Sequence, residues 1–138
     1  MFEQQTITID TPGRGSIDIT REVSDVLRAS GINRGTCHVF IHHTSASLMI
    51  TENADSNVRR DLDNYIARLV QDGDPAYLHD QEGPDDMAAH IRSVLTQTEI
   101  TVPVNSGRLA LGTGQGLFLW EHRFRAHRRN ITITLNGD

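Results

Sequence analysis

Asp86 and His90 stand four residues apart in a stretch with helical patterning, so their side chains share one face and can hold a proton or a cation between them. A surface acid beside a histidine is the commoner product of such spacing. His79 shifts the balance, because it lies just upstream in a polar run, residues 77–83, that offers little to a core and suits an ordered binding loop. A second group surrounds the end of a predicted strand at residues 42–47. His43 continues the inward apolar face there, and His42 points the other way. A histidine satisfied by a backbone carbonyl accounts for His43 as well as a functional one does. Glu52 and Asp55 stand at the mouth of a long helix, where carboxylates cap amides or hold a divalent cation; capping explains Asp55 more cheaply than Glu52.

Two further segments invite chemistry. Gly112-Thr113-Gly114-Gln115-Gly116 has the glycine density of a dinucleotide loop, but a strand follows it where such a loop needs a helix. A nucleotide fold is excluded, leaving an anion nest or, more commonly, a plain strand connection. Arg123, Arg125, Arg128 and Arg129, with His122 and His127, form either a solvated strand edge or a phosphate clamp.

The elements that position these residues read from periodicity. Ile7 and Ile9 alternate with Thr6 and Thr8 as in a half-buried strand, and a short strand at residues 16–19 follows the Pro12-Gly13 turn. Thr20 is the expected cap of a helix carrying Val23, Val26 and Leu27, which Gly31 ends. Residues 36–43 form a strand with Cys37, Val39 and Ile41 inward, and residues 47–51 form another. A long helix spans 54–70 with Val58, Leu62, Ile66 and Leu69 at helical spacing. After a break at residues 72–75, Asp85 or Asp86 starts a helix that carries Met87, Ile91, Val94 and Leu95. Strands at 98–104, 108–111, 116–122 and 129–135 complete the chain, and their short connections favour antiparallel pairing. The class is α+β. The strand at 116–120 has Leu117 and Leu119 on one face and Phe118 and Trp120 on the other, so a second sheet or a neighbouring subunit is expected to cover it.

Composition narrows the function. The 138 residues suit one domain, 1–138. No apolar stretch approaches the ~20 residues of a membrane span, and the N-terminus lacks signal-peptide order. One cysteine permits no intrachain disulfide and no cysteine-rich zinc site, which fits a reducing, cytoplasmic compartment. Cys37 reads as a small core hydrophobe. All 13 basic residues are arginines, which removes Schiff-base lysines and the P-loop lysine. A net charge of −5 argues against a nucleic-acid partner.

Several strings in one order carry a resemblance: His43-Thr44-Ser45-Ala46 with Glu52 and Asp55, residues 77–79, residues 82–86 with Ala89-His90, then Pro103-Val104, Gly107-Arg108-Leu109, and residues 111–116 followed by Glu121. Together they make the chain resemble the YjbQ family, also known as secondary thiamine-phosphate synthases, from about residue 7 onward. The resemblance implies an α+β, mostly antiparallel, sandwich-like fold with about three helices, assembled as a homotrimer. It implies a polar pocket of His43, Ser45, Glu52, Asp55, His79, Asp86, His90, Thr113 and Gln115, with Gly114 standing where the family usually has tryptophan. The implied activity joins a pyrimidine diphosphate to a thiazole phosphate, a reaction that needs stabilisation of a leaving diphosphate. In that frame His43, His79 and His90 hold a divalent metal, zinc or magnesium, or phosphate oxygens. Asp86 orients His90, Glu52 or Asp55 completes the cation site, and Ser45, Thr113 and Gln115 contact the phosphorylated substrate, with Arg123 of the arginine cluster expected to join them from its own charge. A metal-dependent phosphate-ester hydrolase and a non-catalytic module binding a small anion or metal are the alternatives.

Overall fold

The computed structural model covers residues 1–138. Its order is β1 (Phe2–Thr11), β2 (Gly15–Asp18), α1 (Thr20–Ser30), β3 (Gly35–Ile41), β4 (Ala46–Glu52), α2 (Ser56–Leu69), α3 (Asp86–Leu95), β5 (Glu99–Asn105), β6 (Arg108–Leu109), β7 (Gln115–Glu121) and β8 (His127–Gly137). Every strand pair is antiparallel. One sheet runs β1-β8-β3-β5-β6 and the other β2-β7-β4, giving the expected α+β architecture with three helices. No helix is long and apolar enough to cross a membrane.

The alternation read in the sequence is what builds the main core. Ile131, Ile133 and Leu135 of β8 and Cys37, Val39 and Ile41 of β3 face inward, against Leu48, Leu117 and Leu119 of the smaller sheet and Val23 and Leu27 of α1. The outward partners form a polar ladder, with Thr6 Oγ1 and Thr132 Oγ1 2.8 Å apart across β1 and β8. Burial pushes the Cys37 thiol up to about 12. Cys37 is therefore expected to resist alkylation in the native protein at pH 8 and to react only on denaturation, as thiol titration with and without guanidinium will show.

The doubly apolar strand β7 is covered differently from expectation. Leu117 and Leu119 do meet the other sheet, but Phe118 and Trp120 pack with Met49, Ile66, Val70 and Ala88, under helices α2 and α3 of the same chain. Trp120 Nε1 donates to Asp63 of α2 at 2.9 Å. The chain's own helices thus satisfy this face, and the strand supplies no reason for a neighbouring subunit.

Two helix readings also change. Thr20 is the first residue of α1 and not its cap; its hydroxyl instead accepts from the Leu117 N–H at 2.8 Å, tying the helix start to β7. Helix α3 buries Asp86, Ala88, Ala89, Arg92 and Ser93 and leaves Val94 84% and Leu95 57% exposed. Small residues let α3 approach the β4 strand closely, so its buried face is the alanine and serine face, not the one with most methyl groups.

Candidate functional site

Helix α3 opens at Asp86, whose carboxylate is buried, and one turn later brings His90 over it. His90 Nε2 lies 3.2 Å from Asp86 Oδ2. The loop before α3 returns His79 to the same point, with its Nε2 2.7 Å from the same oxygen. One ligand atom from each residue lies within 4.8 Å of the other two. Glu82 Oε2 is 3.4 Å from His79 Nε2 on the solvent side.

The other oxygen of Asp86 is fixed from behind. Arg123 donates from Nη1 to Asp86 Oδ1 at 2.7 Å, from Nε to Asp85 Oδ2 at 2.9 Å and from Nη2 to the Glu82 carbonyl at 2.9 Å. The Phe124 N–H also donates to Asp85. One guanidinium thus clamps the start of α3 and the end of the loop that carries His79. Burial alone would raise the Asp86 pKa, but the hydrogen bond with His79 and the charges of His90 and Arg123 outweigh it and hold Asp86 below the usual carboxylate range. It is an anion at neutral pH.

The tautomer of His90 follows from its other nitrogen. Nδ1 lies 3.0 Å from the Thr44 carbonyl oxygen, which can only accept, so Nδ1 carries the hydrogen. In the neutral ring Nε2 is then a bare lone pair aimed at a carboxylate oxygen. Two acceptors at 3.2 Å repel unless a proton or a cation lies between them.

The expected pairing of Asp86 with His90 is present, and the Thr44 carbonyl adds a second anchor at the other ring nitrogen. Each guanidinium nitrogen of Arg123, expected to contact substrate, donates one hydrogen bond within the chain, to Asp85, Asp86 and the Glu82 carbonyl. His43 lies outside the cluster, and its Nε2 accepts the Asn130 N–H at 2.8 Å, so that nitrogen is not open to a metal. Burial, aided by the Arg129 charge, lowers the His43 pKa. Ser45 is buried, and its hydroxyl accepts from Arg129 Nη2 at 3.0 Å.

Glu52, Asp55, Thr113 and Gln115 form a separate group. In the β4–β7 ladder Ala46 faces Glu121 at the end near the histidines, and Glu52 faces Gln115 at the other. Six residue steps at ~3.3 Å put the two ends about 20 Å apart, so within one chain these residues share no pocket with His79 and His90. Their local partners explain them. Glu52 Oε2 accepts the Ala54 and Asp55 amides, and Asp55 Oδ1 accepts the Asn57 amide as the cap of α2. The Gly112 amide donates to Gln115 Oε1 and the Gln115 amide to the Gly112 carbonyl, so the glycine-rich segment is a closed turn. Gly114 adopts φ +79°, a left-handed conformation in which the family's usual tryptophan would be strained.

A buried pair supports the histidine end. Glu121 and Arg129, both almost fully buried, bond through Arg129 Nε to Glu121 Oε1 at 2.8 Å and through Arg129 Nη2 to Glu121 Oε2. Thr11 Oγ1 and the amides of His122 and Arg123 complete the carboxylate's shell. The same carboxylate therefore holds the backbone of Arg123, the residue that clamps Asp86.

A family model described as UPF0047 protein YjbQ-like matches residues 5–138. A UPF0047 protein of Synechocystis sp. is 46% identical over 98% of this chain and 92% of its own length, and the UPF0047 protein YjbQ of Escherichia coli O157:H7 is 40% identical over 100% of both. A conserved hypothetical protein of Thermus thermophilus superposes with a TM-score of 0.86 at 31% identity, covering 96% of this chain and 99% of that one. A Sulfolobus solfataricus structure, described as a YbjQ-like protein of unknown function, has the same fold with a TM-score of 0.86 at 23% identity, covering all of both chains. None of these descriptions carries an activity. The synthase activity expected from the resemblance is therefore withdrawn, and with it the phosphorylated substrate, since the relatives that match along the whole chain are UPF0047 proteins of unassigned function. Matched by the family model over nearly its full length, the chain belongs to the UPF0047 family of YjbQ-like proteins.

Proposed function

We propose that the chain binds one divalent transition-metal ion, with zinc the best-fitting example, through His79 Nε2, His90 Nε2 and Asp86 Oδ2, and that it presents the ion to a small ligand. The observation that carries this reading is the pair of imidazole nitrogens converging on one oxygen of a buried, ionised carboxylate, one of them with its lone pair fixed forward by the Thr44 carbonyl. Two nitrogens and one oxygen suit zinc and disfavour magnesium, which takes oxygen ligands and keeps its waters. A tetrahedral zinc holds its ligand atoms about 3.4 Å apart, so small rotations of two side chains accommodate it. Three protein ligands leave a position for water or a bound molecule, the pattern of an open site and not of a closed structural one.

Calorimetric titration of metal-free protein with zinc is expected to give one ion per chain. Affinity should fall as the solution is acidified, because metal binding requires deprotonated ligands and releases protons. In His90→Ala binding should weaken by roughly 100-fold or more, since a lost ligand exceeds the ~10- to 100-fold cost of a lost outer contact. Zinc binding that is equally tight in parent and His90→Ala would refute the reading.

A further inference from the structure

An open surface cavity of about 430 Å³ shares the His90 ring as a wall and is lined elsewhere by His43, Thr44, Ser93, Val94, Thr96 and Thr98. Its size is that of a small-molecule site. No aspartate, glutamate, lysine or arginine lines it. An anion entering it would lose hydration with no guanidinium to meet it, and a cation would find no carboxylate.

The hydrogen-bonding capacity of the walls is specific. Thr96 Oγ1 donates to the Arg92 carbonyl at 2.7 Å, and Ser93 Oγ donates to the Ala46 carbonyl at 3.4 Å, so both hydroxyl hydrogens are engaged within the chain. What these two oxygens offer inward is lone pairs. His43 offers the opposite. Its Nε2 accepts from Asn130, so the hydrogen of the neutral ring sits on Nδ1 and is available to donate. Thr44 and Thr98 add two hydroxyls, and Val94 is the one hydrophobic wall.

We infer that this cavity takes a small, uncharged, polyhydroxylated molecule, a sugar or polyol, held beside the metal. Its hydroxyl hydrogens point at Thr96 and Ser93, one of its oxygens accepts from His43 Nδ1, and its C–H face rests on Val94. This rests on the metal reading only through His90, whose ring lines the cavity and whose Nε2 would hold the ion. The cavity's other contacts do not need the ion.

The test uses the whole chain, first titrated with zinc and then, loaded, with ribose and myo-inositol as neutral probes and ribose 5-phosphate and glucosamine as charged ones. A neutral probe is expected to bind, to bind at least about tenfold more tightly than either charged probe, and to weaken fivefold or more in Thr96→Val with zinc stoichiometry unchanged. Zinc bound with no response to either neutral probe overturns this inference and leaves the metal reading standing, as does a preference for ribose 5-phosphate. Ribose or myo-inositol bound by protein that takes up no zinc overturns the metal reading and supports the cavity's. Neither zinc nor a neutral probe bound overturns both.

Discussion

Asp86→Asn is expected to abolish zinc binding in the micromolar range while leaving the chain folded. The amide is isosteric, so Arg123 still finds an oxygen at the Oδ1 position and Asp85 and the Glu82 carbonyl remain its partners. The NH2 group then occupies the Oδ2 position and donates into the imidazole lone pairs that a metal requires. Loss of the charge and of a ligand together should cost roughly 100-fold or more in affinity, beyond the ~10- to 100-fold that outer contacts alone supply. Trp120 fluorescence and melting temperature should stay near those of the parent, because the clamp survives. If calorimetry shows parent-like zinc affinity in Asp86→Asn, the carboxylate is a structural anchor for Arg123 and not a ligand.

Arg129→Met is expected to be the most damaging single change to stability. It leaves the Glu121 carboxylate, 0% exposed, without its guanidinium, and an unpaired buried charge of this kind costs about 3–5 kcal/mol. For a chain of this size that lowers the melting temperature by roughly 10–20 °C. The pH dependence identifies the cause. In the parent, burial pushes the Glu121 pKa up, but Arg129, Thr11 and the Arg123 amide outweigh it, leaving the group below its ordinary 4.5. A depressed folded pKa contributes stability that is present above the unfolded value and lost as pH falls through the folded one. In Arg129→Met burial is no longer opposed by the guanidinium, the folded pKa rises, and acid relieves the variant. The gap between parent and variant in urea titrations should therefore narrow from pH 7 to pH 4. A gap that stays constant over that range would mean lost packing and not a stranded charge.

Much of this site was legible in the sequence, for a physical reason that also marks where legibility ends. Asp86 and His90 announce themselves because helical spacing fixes which side chains meet, and His79 because a polar loop leaves a histidine little else to do. The second anchor of His90 is not legible, since it is a backbone carbonyl and Thr44 O has no sequence signature. The Arg123 clamp and the Glu121–Arg129 pair escaped as well; Arg123 lies 37 and 38 positions from its acidic partners, and no local pattern selects one arginine among 13. Glu52, Asp55, Thr113 and Gln115 were grouped with the histidines by motif order alone, whereas the length of the β4–β7 ladder separates them. In the fold, alternation placed the strands well. It failed at α3, where close approach to β4 favours Ala88, Ala89 and Ser93 over Val94 and Leu95.

Anomalous X-ray diffraction at the zinc edge, from crystals grown with one equivalent of zinc at pH 7.5, tests the central claim most directly. The predicted result is one peak per chain, about 2.0–2.2 Å from His79 Nε2, His90 Nε2 and an Asp86 carboxylate oxygen, with the His90 Nδ1 to Thr44 carbonyl hydrogen bond retained. A peak bound elsewhere, or an Asp86 carboxylate bridged to both imidazoles by hydrogen bonds with no anomalous density between them, would contradict it.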